Sequence, residues 1–169
     1  AQDYVQWSDT VKSYLTVCDN GNYMRVQSGA IEGKLLVEYY SSDFEPLSTK
    51  LIDNELPIFG AFYDSGNNYY VLSGQENPKQ NDTLEVFRIT KYDKNWNKIK
   101  SCGLYGANTT VPFDAGSARM THSGDHLLVR TCHEMYKSSD GNNHQSNVTI
   151  EVDMPSMTIT DSYLSLIHI

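Results

Sequence analysis

The stretch Asp64-Ser65-Gly66-Asn67-Asn68-Tyr69-Tyr70-Val71-Leu72 joins a turn of small polar residues to a run suited to a strand. Glycine and asparagine tolerate the backbone of a tight hairpin turn, while tyrosine, valine and leucine fit a pleated, half-buried surface. The same plan occurs twice more. Asp19-Asn20-Gly21-Asn22 leads into Tyr23-Met24-Arg25-Val26, and His122-Ser123-Gly124-Asp125 leads into His126-Leu127-Leu128-Val129. The turn glycines at 21, 66 and 124 set unit lengths of 45 and 58 residues.

Each unit holds a second match further on. Leu35-Leu36-Val37-Glu38-Tyr39-Tyr40 runs into a polar turn ending in Phe44, and Leu84-Glu85-Val86-Phe87-Arg88-Ile89 precedes a turn ending in Trp96. Val148-Thr149-Ile150-Glu151-Val152-Asp153 precedes a turn ending in Met157. A further short strand follows each turn, so every unit reads as four strands. Four strands in about 40–50 residues is the period of a propeller blade. The expected fold is all-β, a partial β-propeller of about three four-stranded antiparallel blades spanning residues 1–163, with blades near 13–53, 57–103 and 116–163. No window shows a competing helical period. A β-sandwich with long loops is the alternative, because short strands with turn signals suit both.

Composition narrows the function classes. The chain has 169 residues, 39% hydrophobic and 20% charged, with 12 tyrosines and a net charge of −8. Its 13 basic residues are scattered, which argues against nucleic acid, since binding phosphates needs clustered lysine and arginine. No apolar run approaches the roughly 20 residues that span a bilayer. Cys18, Cys102 and Cys132 show no CxxC and no paired spacing, so neither a disulfide framework nor a zinc site is expected. The opening Ala1-Gln2-Asp3 suits a processed N-terminus and equally an arbitrary boundary.

Several segments carry a resemblance. Trp7-Ser8-Asp9-Thr10-Val11-Lys12, Gln75-Glu76-Asn77-Pro78, Asn108 through Ser117 and Arg130 through Gly141 resemble a group of uncharacterised secreted propeller-like proteins of gut bacteria. The resemblance runs to about Tyr163. It implies a bacterial secreted or cell-surface location and further blades in a longer parent chain, and it implies no activity. The ending Leu164-Ser165-Leu166-Ile167-His168-Ile169 departs from it and resembles translated adapter ends of truncated reading frames, so residues 164–169 are expected to be a non-native tail.

Blade topology locates the expected binding face. Four alternating strands put the second-to-third connection and the blade-to-blade connection on one side. On that side Gly74–Asp82, Gly103–Gly116 and Cys132–Asn147 read as long loops, and long irregular loops in compact domains are usually functional. The candidate ligand-binding residues are Arg130, His133, Glu134 and His144 from the third loop, with Asn108 and Asp114 from the second. Imidazole, carboxylate and guanidinium groups can bind anions or perform acid–base chemistry. Glu134 or Asp114 is the expected carboxylate partner of Arg130. The His-x10-His spacing is not a zinc pattern, and Asp140-Gly141-Asn142-Asn143 lacks the later acid of a calcium loop. No metal and no cofactor are expected.

These readings favour an extracellular recognition module that binds a protein, peptide or glycan on its long-loop face. The alternative is a propeller-type enzyme, sulfotransferase- or lyase-like, using His133 or His144 with Arg130. The alternative requires those three groups to converge on one pocket.

Overall fold

The computed structural model describes residues 10–114, 116 and 118–166. It is all-β, and no described residue is helical. Three antiparallel sheets follow one another along the chain, each a meander in which neighbours in sequence are neighbours in the sheet. The first contains β1 (Ser13–Val17), β2 (Tyr23–Ile31), β3 (Lys34–Tyr40) and β4 (Pro46–Asp53). The middle sheet contains β5 (Ile58–Asp64), β6 (Tyr69–Gly74), β7 (Glu85–Tyr92) and β8 (Lys98–Tyr105). The third contains β10 (Arg119–Ser123), β11 (His126–Lys137), β12 (Asn143–Asp153) and β13 (Thr158–Leu166), and β9 (Thr109–Pro112) lies against the far end of β11.

Burial shows how the sheets stack. One apolar cluster joins Met24, Val26, Leu35 and Val37 of the first sheet to Phe62, Tyr69, Val71 and Trp96 of the middle one. A second joins Tyr70, Leu72, Phe87 and Ile89 of the middle sheet to Leu127, Val129, Val148, Ile150 and Met157 of the third. The middle sheet is therefore covered on both faces, and all six residues of β6 are buried. This explains why Tyr69-Tyr70-Val71-Leu72 lacks the polar–apolar alternation of a one-sided strand. In β2, by contrast, Met24 and Val26 are buried between half-exposed Tyr23, Arg25 and Gln27. The outer faces of the first and third sheets leave apolar side chains open, among them Leu15, Val17, Leu51, Leu128 and Tyr163.

The three apolar turn residues occupy one backbone niche. Phe44, Trp96 and Met157 all have positive φ, 63°, 63° and 50°. Trp96 packs into the cluster shared with the first sheet, and Met157 into the cluster shared with the middle one. Each reaches back to the preceding sheet. A lysine on that sheet's last strand accompanies each contact: Lys50 Nζ donates to the Asn95 carbonyl, and Lys100 Nζ to the Ser156 carbonyl. Phe44 occupies the same place in the first sheet but is 60% exposed, stacked on Tyr23.

Several boundaries differ from the sequence reading, for physical reasons. The β2–β3 turn is only Glu32-Gly33, so the first sheet has no long loop. The segment 103–116 contains the end of β8 and all of β9. The segment 132–147 is mostly strand, because β11 and β12 continue pairing past Thr131↔Val148 to Lys137↔Asn143. Of the expected tail, 164–166 pair with β12 as the end of β13, and 167–169 lie outside the described residues. Trp7, Ser8 and Asp9 of the resemblance, and Ser117 at the end of its 108–117 segment, lie outside them too.

Candidate functional site

The long-loop side is built around β9 and the long β11–β12 hairpin. Thr110 Oγ1 donates to Glu134 Oε1 at 2.6 Å, and Asn108 Oδ1 accepts from the Tyr136 amide at 3.2 Å. Gln145 Nε2 donates to Asp114 Oδ2 at 2.6 Å. Three of the expected site residues thus tie the connector 106–116 to the hairpin. The carboxylate expected beside Arg130 is not there: Glu134 takes Thr110, Asp114 takes Gln145, and Arg130 Nη1 donates to Thr149 Oγ1 at 3.0 Å.

Alternation along β11 separates the set further. Leu127, Val129, Thr131 and His133 point into the core, whereas Arg130 and Glu134 point to the other face. His133 is fully buried. Its Nδ1 lies 2.6 Å from Thr109 Oγ1, and that hydroxyl donates to the Ala107 carbonyl at 3.0 Å. With the one hydroxyl proton so used, Nδ1–H is assigned as the donor to Thr109. Nε2 then remains a bare acceptor with no partner among the described residues. His144 stands at the hairpin tip, half exposed, with Nε2 2.9 Å from Asp140 Oδ2. Hydrogen bonds from the Ser138 hydroxyl, the Asn142 amide and His144 hold the Asp140 carboxyl well below its ordinary range. The constellation of His133, His144 and Arg130 is not assembled: one is in the core, one at a tip and one on the opposite face of β11.

Burial of His133 has a measurable consequence. Loss of hydration lowers its pKa from the ordinary 6.5 to about 4. The unfolded chain therefore binds a proton between those values that the folded chain refuses. This contribution to stability is complete above pH 6.5 and is lost as pH falls towards 4. The loss is about 3 kcal/mol, from roughly 1.4 kcal/mol per unit. Urea titrations at pH 7.5 and 4.5 check it. His133→Asn, which keeps a donor for Thr109 and does not titrate, should remove most of the difference. The lowered carboxyls Asp93, Asp140 and Asp153 act in a lower window, below their ordinary pKa of 3.8.

Sequence reasoning missed the residue that organises this side. Asn77 is 1% exposed, and its side chain uses every hydrogen-bonding group. Nδ2 donates to the Asn81 carbonyl at 3.1 Å and to Tyr136 Oη at 3.0 Å, while Oδ1 accepts from the Asn81 amide at 2.9 Å. Its backbone N–H donates to the Thr110 carbonyl at 2.8 Å. The loop 75–84 is thereby pinned to β9 and to the hairpin. Its only sequence signal is the position of Asn77 before Pro78 in an otherwise polar loop.

No protein-family model matches the chain, and no curated protein matches it. Solved structures do match. Cobalt-substituted apocarotenoid oxygenase of Synechocystis aligns with a TM-score of 0.56 at 11% identity, over 92% of this chain and 38% of that chain. A chimera of that oxygenase with RPE65 aligns with a TM-score of 0.55 at 11% identity, over the same shares. The likeness is one of fold. The chain spans less than two fifths of the length of these oxygenase chains, and side chains that perform chemistry are not carried over at such identity. Among the described residues no three His, Cys, Asp or Glu side chains gather as metal ligands. Cys18, Cys102 and Cys132 are free thiols, each raised in pKa chiefly by burial, Cys102 to about 11. No helix among the described residues is long and apolar enough to cross a membrane.

Proposed function

We propose that this chain is a recognition module of the β-propeller type, exported by a bacterium, that binds a protein, peptide or glycan on its long-loop side. Support for the propeller reading comes from the recurring turn niche. Trp96 and Met157 each lock onto the preceding sheet, and exposed Phe44 presents the same contact outward. A further four-stranded sheet, supplied by a longer parent chain, fits that outer face. A lysine on its last strand would complete the repeat at the Asp43 carbonyl.

The single observation that carries the recognition reading is the pinning of loop 75–84 to the β11–β12 hairpin through Asn77 and Tyr136. A surface fixed before binding loses little entropy when a partner arrives. Around the pinned loops lie exposed groups with mixed hydrogen-bonding character: Glu76, Lys79, Lys137, Asp140, His144 and Gln145. The enzyme alternative finds no comparable support, because its three groups point in different directions.

The test is a screen of the purified chain against glycan and peptide arrays, followed by titration of the ligand found. Substituting Lys137 and His144 together by alanine should weaken binding at least about tenfold, roughly 1.4 kcal/mol, with an unchanged melting temperature. Binding indifferent to both substitutions, or chemical turnover of the captured ligand, contradicts the reading.

A further inference from the structure

The opposite side of the stack carries the short turns, and there a cleft of about 280 Å³ opens between the middle and third sheets. Its lining includes Tyr70, Lys91, Asn67, His122, Asp125 and Met154. Four residues form a row across the middle sheet on the face turned to the third. Tyr63 pairs with Tyr70, Tyr70 with Lys91, and Lys91 with Lys100. Three members of the row reach the third sheet. Tyr63 Oη lies 2.7 Å from His122 Nδ1, Lys91 Nζ donates to the Met154 carbonyl at 3.0 Å, and Lys100 Nζ donates to the Ser156 carbonyl at 2.7 Å.

Tyr70 is the exception. It is fully buried, and its Oη has no hydrogen-bond partner among the described residues. A buried hydroxyl without a partner keeps its full desolvation cost, and phenylalanine would fill the same core position without it. The hydroxyl therefore calls for a partner that comes from the cleft. Its neighbour defines the chemistry, because an ammonium has three donors and Lys91 uses one of them on Met154. Burial, with a smaller contribution from Tyr63, pushes the Tyr70 phenol up to about 12, so it remains an O–H donor at neutral pH. A neutral hydroxyl beside an ammonium suits the two oxygens of a carboxylate. The carboxylate of Asp125 in the same lining disfavours a doubly charged phosphate and can accept from ligand hydroxyls instead.

We infer that this cleft is a second binding site, which takes a small hydroxylated carboxylic acid of sugar-acid size with its carboxylate between Tyr70 Oη and Lys91 Nζ. The site lies on the side away from the pinned loops and does not depend on the recognition reading.

The experiment is a titration of the whole chain, labelled with ¹³C at the tyrosine ring carbon bearing the hydroxyl, with sodium glucuronate, glucose and sodium chloride. Tyr70→Phe identifies the Tyr70 signal and should leave the melting temperature unchanged or raised, since no bond is lost. Glucuronate should move that signal in a saturable way, while glucose and chloride should not. Calorimetric affinity for glucuronate should fall about tenfold in Tyr70→Phe and again in Lys91→Met. Lys91 also anchors Met154, so Tyr70→Phe decides the matter if Lys91→Met folds poorly. An unmoved Tyr70 signal, an equal response to glucose or chloride, or undiminished affinity in Tyr70→Phe overturns the proposal.

Discussion

Gly60→Ala is expected to cost about 3–5 kcal/mol, close to the loss of a buried aromatic ring. A Cβ at Gly60 would lie 2.4 Å from Phe113 Cζ and 2.5 Å from Cε1, and one at Gly74 would lie 2.8 Å from Cε2. The Phe113 ring therefore rests directly on the backbone of two strands, β5 and the end of β6. It has nowhere to retreat, because Phe87 meets it edge-on with centroids 5.5 Å apart, and it is only 4% exposed. Its backbone is held at φ 61°, which an L-residue adopts at some cost. Displacing the ring forfeits its burial and loosens the connector that carries β9. Urea titration should show a midpoint far below that of the native chain. In a Phe113→Ala background the same Gly60→Ala change should cost within about 1 kcal/mol, because contacting residues couple strongly. Equal cost in both backgrounds would show that the ring does not fill this space in solution.

Asn77→Ala should be the second most damaging change, at about 3 kcal/mol. Three side-chain hydrogen bonds disappear, each worth roughly 1 kcal/mol, and the Asn81 amide loses its acceptor. The effect should be local as well as global. Amides of 79–84 and 136–144 should exchange faster in this variant than in the native chain, with those of β6 and β7 less affected, because the loop and the hairpin separate before the core opens. The same variant should weaken any ligand of the long-loop side by more than its exposed neighbours do, through loss of preorganisation. A stability loss with unchanged exchange in both segments would mean that Asn77 braces the core rather than the surface.

The contrast between these two residues and the turn glycines shows what was legible in the sequence. Gly21, Gly66 and Gly124 all have positive φ, with nothing within 4 Å of an added Cβ. Their backbone demand is local, so the sequence announces it, and the three hairpins follow. The stack of strands was legible for the same reason, since alternation and turn chemistry act over a few residues. Phe113 was not, because an aromatic residue in a Gly-rich connector has no periodicity to show that it enters the core. His133 was misleading for the opposite reason: a polar residue at an inward position reads as a loop residue unless its partner is known. Thr109, its partner, lies on β9, a strand too short and too flanked by glycine and asparagine to announce itself. Arg130 was read at the end of its strand and Glu134 in a loop beyond it, but β11 runs on to Lys137, and alternation puts both on the face away from His133. The pairwise geometry among these residues was not readable from local pattern.

In this arrangement the middle sheet lies between the other two and is covered on both faces. Amide hydrogen exchange followed by mass spectrometry or NMR tests it most directly. The slowest exchange is expected in β6 and β7, Tyr69–Gly74 and Glu85–Tyr92, with β1, β4 and β13 at the sheet edges exchanging much faster. Strongest protection in β2, β3, β11 and β12, with β6 and β7 exchanging early, would mean that the first and third sheets pack on each other, and would contradict it.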